Sequence, residues 1–358
     1  MDYKILAINP GSTSTKIAVF ENHKQVFVFT LRYSMEELSS YENIIAQFDF
    51  RKESIVKALK DNNIDLNEID IIVGRGGLVR PIESGVYEVN ELMLHDLRVG
   101  VGGEHASNLG GIIAHSLAAQ IDGCKAYIAD PVVVDELQDV ARVSGHPLFE
   151  RKSIFHALNQ KTIARKYAES IGSAYEKLNL IVAHLGGGVS VGVHKEGRVI
   201  DVNDALGGEG PFSPERSGTL PAYDLATLCF SGEYTMKEVQ KMIVGEGGLI
   251  AHLGTNSFQD VAQKVKEEDA KYTLISDAFR YNLAKSIGAA ATVLSGKIDA
   301  ILITGGIAHN ATLIEKLSEQ IAFIAPIKVY PGEDEMSALA ENGYNILTGR
   351  ELSKNYRG

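Results

Sequence analysis

Asn9, Ser12, Ser14 and Lys16 fall within one short turn, Asn9-Pro10-Gly11-Ser12-Thr13-Ser14-Thr15-Lys16. An amide, hydroxyls and an ammonium aimed at one spot can donate several hydrogen bonds to phosphate oxygens without a helix dipole. The segment lacks the second glycine of a P-loop. Ile17-Ala18-Val19-Phe20 continues as a strand where a P-loop or Rossmann turn would open a helix. The turn is a hairpin, read either as a phosphate cradle or as an ordinary polar loop. A second turn carries Gly186, Gly187 and Gly188 between His184-Leu185 and Val189-Ser190. Three consecutive glycines cost chain entropy, and a close backbone approach to a ligand would compensate. The third turn, Thr304-Gly305-Gly306-Ile307-Ala308-His309-Asn310, separates a strand from a helix. A nucleoside could rest there on bare backbone at Gly305, Gly306, Ile307 and Asn310.

Two arginines border glycine-rich turns: Arg75 in Val73-Gly74-Arg75-Gly76-Gly77 and Arg216 in Pro214-Glu215-Arg216-Ser217-Gly218. A guanidinium stays charged and offers oxyanions a planar fork, although many arginines only solvate a surface. Asp130 ends an apolar run before Pro131. A carboxylate there suits Mg²⁺, directly or through water, but Asp-Pro also opens ordinary turns. His156, in Ile154-Phe155-His156-Ala157, reads by itself as a satisfied core histidine near an apolar helix face.

The elements that must carry these residues repeat. Strands are expected at Tyr3–Asn9, Thr15–Glu21, Gln25–Leu31, Ile69–Val73 and Ala126–Ala129, with helices at Arg51–Asn63 and Glu104–Ile121. After a helix near Ser153–Ser170 the programme restarts, with strands at Asn179–Leu185, Val189–His194, Gly197–Val202, Ala300–Thr304 and Ile327–Tyr330. Helices are expected at Thr235–Ile243, Phe258–Glu267, Tyr272–Leu294, Asn310–Ile321 and Met336–Leu347. The expected fold is α/β, with two similar halves, βββαβαβα duplicated, and an interdomain cleft, one half spanning residues 1–150 plus a C-terminal helix at about 336–358 and the other residues 151–335.

A chain of 358 residues with 45% hydrophobic and 23% charged residues is globular and long enough for about two domains. Its formal charge of −11 disfavours nucleic acid, whose phosphates would be repelled. The 2 cysteines, Cys124 and Cys229, form neither a disulfide framework nor a zinc motif. The opening Met-Asp-Tyr-Lys lacks a signal peptide's basic region, and no apolar window reaches membrane-spanning length. A soluble cytoplasmic protein without a membrane partner is expected.

The element order and the three turns resemble the actin, sugar kinase and Hsp70 superfamily, which implies that the two halves are RNase H-like (actin-like) domains, residues 1–150 with the C-terminal helix as the substrate and metal side and residues 151–335 as the nucleotide-binding domain. Within it, the chain resembles the acetokinase family along its whole length, and in particular the butyrate kinase group. The resemblance rests on Ile8–Lys16, on Gly210-Pro211-Phe212-Ser213-Pro214-Glu215-Arg216-Ser217-Gly218 and on Pro331-Gly332-Glu333-Asp334-Glu335-Met336. It implies ATP-dependent conversion of butyrate, or a related short-chain fatty acid, to its acyl phosphate, and the reverse, with ATP/ADP and Mg²⁺ as cofactors and a homo-oligomer, at least a dimer. It also implies that Arg75 is the substrate-side arginine and Arg216 the second arginine. His156 would hydrogen-bond the phosphoryl group in flight, and Asp130 and Glu335 would serve the metal, with Glu333 and Asp334 as alternatives to Glu335.

The chemistry agrees with that resemblance. A fatty acid is already ionised at neutral pH, so no general base is needed, and neutralising charge on the transferring group is the main task. Acetate kinases usually carry Val-Val-His after the first arginine, whereas this chain has Gly76-Gly77-Leu78. Gly76, Gly77 and Phe155 are therefore expected to line a roomier acyl pocket, each buried methylene being worth about 0.8 kcal/mol. Gly187 stands where acetate kinases commonly have Asn. The family's Asp-x-Arg beside adenosine falls near Ser257-Phe258-Gln259. Three other readings remain: a branched-chain (isobutyrate) kinase, a sugar kinase using Asp130 as base, and an actin/Hsp70-like nucleotide-switch binding protein.

Overall fold

The computed structural model describes residues 2–358. Strands β1 (Lys4–Pro10), β2 (Ser14–Glu21) and β3 (Lys24–Arg32) form two successive antiparallel hairpins. The chain then passes through the helix Phe48–Asp61 to β4 (Ile71–Arg75), β5 (Val86–Glu88), the helices Glu91–Val99 and Asn108–Ala118, and β6 (Lys125–Ala129). β1, β4 and β6 are adjacent and parallel, in register Ile8↔Gly74 and Arg75↔Ala129. Ile5, Leu6, Ala7 and Ile8 are all buried, as a central strand covered on both faces requires.

Gly74 fixes one covering helix, because a Cβ there would lie 2.3 Å from the Gly110 carbonyl oxygen. Side chains alternate across a strand, so Val73 faces the other way, toward Gly343 of the helix Glu335–Leu347.

The second set begins with the helix Ala157–Ser170, four residues later than the periodicity predicts. His156 therefore occupies the N-cap position, with Phe155 just before the helix. Strands β7 (Asn179–Leu185), β8 (Val189–Lys195) and β9 (Arg198–Val202) again form consecutive hairpins. The helices Phe258–Lys266 and Ala270–Val293 lead to β10 (Ala300–Gly305), and the helix Ala311–Ile321 leads to β11 (Ile327–Pro331). β7, β10 and β11 run parallel. Ile181, Ala183 and Leu185 pack with Phe279, Leu283 and Ile287, while Leu180 and Val182 pack with Ala164 and Tyr167. Two-residue alternation thus supplies a core on each face of this sheet.

The closing helix Glu335–Leu347 packs on β1, β4 and β6, and β12 (Lys354–Asn355) extends the first sheet beside β5. The sheet orders are β12-β5-β6-β4-β1-β2-β3 and β11-β10-β7-β8-β9. The first sheet therefore has two short strands beyond the expected five. One compact unit contains everything up to Val134 together with Asp334–Gly358, and the other contains Asp135–Glu333. Among the described residues no helix is long and apolar enough to cross a membrane.

Candidate active site

In the first unit, Asn9, Arg75 and Asp130 stand at the carboxyl ends of the adjacent parallel strands β1, β4 and β6. Open parallel sheets bind ligands at such ends. Arg75 Nη1 donates to Glu335 Oε2 at 3.1 Å and to Asn9 Oδ1 at 3.3 Å. Asn9 Nδ2 donates to the same Glu335 oxygen. Three residues expected in three roles, phosphate contact, acid clamp and metal ligand, thus form one half-buried constellation. The acidic run also resolves into separate jobs: Asp334 caps the closing helix through Ser337 N, and Glu333 faces His184.

Asp130 is buried, with φ +37°. Its Oδ1 accepts from Ser84 Oγ at 2.6 Å and Gly85 N at 2.8 Å. Among the described residues no three His, Cys, Asp or Glu side chains gather as a preformed cation cage.

The hairpin between β1 and β2 exposes Ser12 and Lys16, with Ser14 half-buried. Beneath it lies a residue the sequence reading did not single out. Arg51 is fully buried and donates to the carbonyl oxygens of Gly11 (2.8 Å), Ser12 (2.9 Å) and Ser14 (3.1 Å) and to Thr15 Oγ1 (3.2 Å). Gln47 Oε1 accepts from its Nε and Nη2, and the guanidinium lies over the Tyr33 ring at 4.8 Å. Burial lowers the Arg51 pKa from its ordinary value, with Tyr33 acting the other way. No carboxylate is among these partners. The available signal was an arginine on the apolar face of its helix, four residues before Ile55 and eight before Leu59, where the helical period calls for another buried residue. Val56, one residue after Ile55, is exposed.

In the second unit the triple glycine closes the β7–β8 hairpin. Its glycines serve different ends. A Cβ on Gly188 would lie 1.9 Å from Arg216 Nη1, and one on Gly186 would lie 2.7 Å from Glu333 Oε1. Gly187 is exposed, and a Cβ there would meet Glu215 at an ordinary 3.6 Å. Side chains of this unit, rather than open space, explain two of the three positions. Arg216 Nη1 donates to the Ala205 carbonyl at 2.7 Å. Burial lowers the Arg216 pKa, while Glu215 and Asp204 push it upward.

His156 stacks on His184 with ring centroids 3.8 Å apart and 12° between planes. His156 Nδ1 is 2.9 Å from Ser190 Oγ, and His184 Nδ1 is 2.8 Å from Asn159 Oδ1. His184 Nε2 lies 3.0 Å from Glu333 Oε1 but out of line for a hydrogen bond. His156, His184, the triple glycine, Arg216 and Glu333 therefore form one linked group of contacts. Gly306, Ile307 and Asn310 line a cavity of ≈ 490 Å³ with Phe258, Gln259 and Lys266, a volume in the range of small-molecule sites. Gly305 is buried and pairs with Gly332 rather than lining that cavity.

The roomier acyl pocket at Gly76 and Gly77 needs correction. A Cβ on Gly76 would lie 2.5 Å from Pro131 Cβ, and one on Gly77 would lie 2.6 Å from both Asn108 Cα and Leu97 Cδ2. The missing side-chain volume is already filled by neighbours, so neither glycine opens space for methylenes. Phe155 is buried.

Comparison with known proteins agrees with this architecture. The solved structure of an acetate kinase from Porphyromonas gingivalis matches with a TM-score of 0.79, covering 96% of this chain and 100% of that one at 21% identity. That likeness establishes the fold, an acetate-kinase-type pair of actin-like α/β domains. The model of the acetokinase family matches residues 145–348. Two proteins of Clostridium acetobutylicum, butyrate kinase 2 and butyrate kinase 1, are 57% and 55% identical to it. The alignments cover 100% and 99% of this chain and 100% of each relative. The chain belongs to the acetokinase family.

Proposed function

We propose that this enzyme transfers the γ-phosphoryl group of ATP to butyrate, or to a related short-chain fatty acid, giving the acyl phosphate and ADP, and catalyses the reverse reaction. The observation that carries the reading is the Asn9–Arg75–Glu335 constellation at the carboxyl ends of parallel strands. Arg75 receives the acid's carboxylate, which attacks in line without a base because it is already ionised. Arg216 and His156 stabilise charge on the transferring phosphoryl group. Ser12, Ser14, Lys16 and the Gly186–Gly188 turn hold phosphate oxygens, and Gly306, Ile307 and Asn310 hold the nucleoside. In this reading the first unit is the acid and metal side and the second the nucleotide side.

Asp130 and Glu335 would hold Mg²⁺. A nucleotide-bound Mg²⁺ keeps several waters and takes only one or two carboxylates besides phosphate, so an all-protein cage is not required. When bound, the ion supplies charge neutralisation. A cytoplasmic homo-oligomer, at least a dimer, belongs to the same proposal. The exposed Tyr223, Phe230 and Met236 support the oligomer.

The test is hydroxamate formation from a series of C2 to C6 acids, straight and branched, with ATP and Mg²⁺. A maximum at butyrate or a close neighbour is expected. Absence of hydroxamate from every acid refutes the reading.

A further inference from the structure

His156 is the first member of a buried chain of hydrogen bonds whose direction can be read from one end to the other. Gln160 Nε2 lies 3.2 Å from the Ser190 carbonyl oxygen and 2.8 Å from Ser190 Oγ. A carbonyl can only accept, so this contact orients the Gln160 amide and turns its Oε1 toward His194. That oxygen is 3.0 Å from His194 Nε2, which must therefore carry a hydrogen. The other ring nitrogen, Nδ1, lies 2.7 Å from the Tyr175 hydroxyl, which donates to it. Burial, reinforced by Lys161 and Arg165, holds the His194 pKa well below 6.5 and so keeps the ring neutral, as this direction needs.

At the other end, Ser190 Oγ accepts from Gln160. Ser190 is fully buried, and the acceptor within reach of its own hydroxyl hydrogen is His156 Nδ1, at 2.9 Å. If His156 Nδ1 donated instead, that hydroxyl hydrogen would be left buried without an acceptor, at a cost of about 1–3 kcal/mol. We infer that Ser190, Gln160 and His194 are positioning residues that hold His156 as the Nε2–H tautomer. The ring then presents a neutral N–H donor, the form suited to a phosphoryl oxygen. The His184 stack fixes the plane of the same ring.

The tautomer itself is independent of the catalytic reading, and only its use rests on the role proposed for His156. The test is ¹⁵N NMR of the full chain with labelled histidine, the His156 signals being assigned by their loss in His156→Gln. A protonated Nε2 and a hydrogen-bonded, unprotonated Nδ1 are expected. A protonated Nδ1 overturns the inference. In Ser190→Ala the Nδ1 signal should lose its hydrogen-bond shift, and kcat should fall roughly 3–10-fold, the worth of one orienting hydrogen bond, with KM unchanged. Ser190→Thr should restore both. A loss of thermal stability with kcat and the ¹⁵N signals unchanged would mean a merely structural Ser190 and overturn the assignment. Full activity in His156→Gln would leave the tautomer standing and remove only the catalytic role.

Discussion

Replacing Gly188 with alanine separates the steric reading of the triple glycine from the reading as bare backbone for a ligand. The added Cβ would lie 1.9 Å from Arg216 Nη1 and 2.6 Å from Cζ. Ordinary contact begins near 3.5 Å, so the guanidinium must retreat by about 1.6 Å. That movement breaks its 2.7 Å bond to the Ala205 carbonyl. A misplacement of about 1 Å near the chemistry costs on the order of 100-fold in rate. Removing one oriented donor from a developing oxyanion costs about 100–1000-fold. Gly188→Ala is therefore expected to lower kcat at least about 100-fold, with little change in KM for the acid. Gly288→Ala is the control, because nothing lies within 4 Å of its Cβ and it belongs to none of the proposed sites, and its kcat should stay within a factor of about 3. Hydroxamate formation at saturating ATP and acid measures both variants, and thermal melts establish that both are folded. Equal losses in the two variants, or an unimpaired Gly188→Ala, would refute the argument that Gly188 makes room for Arg216.

Gly77→Ala should lower thermal stability, by about 1–3 kcal/mol or more, because its Cβ would press on the Asn108 backbone at 2.6 Å. A stable variant with its preference moved toward acetate would restore the pocket argument. Arg51→Lys keeps a charge but cannot span three carbonyls as a fork, so KM for ATP should rise roughly 10-fold with the protein still folded; an unchanged KM would detach Arg51 from nucleotide binding. Denaturant unfolding between pH 7.5 and 5 reads His194. Its folded pKa is depressed by burial, so the unfolded chain binds the extra proton. The stabilisation is fully present above about pH 6.5 and is lost as pH falls below it, at up to about 1.4 kcal/mol per pH unit. His194→Gln should remove one proton's worth of that slope, and an identical slope would contradict the assignment.

Strand periodicity and turn chemistry carried most of the architecture. Asn179–Leu185 was legible to the residue because the apolar run Leu180–Ala183 leads within two residues to a triple glycine. Val86–Glu88 and Lys354–Asn355 were not, since strands of three and two residues contain too little alternation. The helix Glu91–Val99 did leave signals, the Asn90 cap and Gly100 at φ +66°, which its mixed apolar pattern obscured. At the site, residue types pointed to Asn9, Arg75 and Glu335, whose convergence depends on pairings distant in sequence. What fills the space beside a glycine depends on tertiary neighbours, so Gly77 and Gly188 could not be distinguished by motif alone. Arg51 escaped because a buried cation bonded to main-chain oxygens has no acidic partner to betray it in sequence.

That cation has a bearing on how the first hairpin would meet anions under the proposed function. Its water was stripped away during folding, and the peptide dipoles around it were aligned at the same time. Little rearrangement of this loop is then left for the moment of encounter, so favourable electrostatics there are not spent on reordering the protein. Competition from simple anions such as sulfate should consequently be strongest against the triphosphate and weak against the fatty acid.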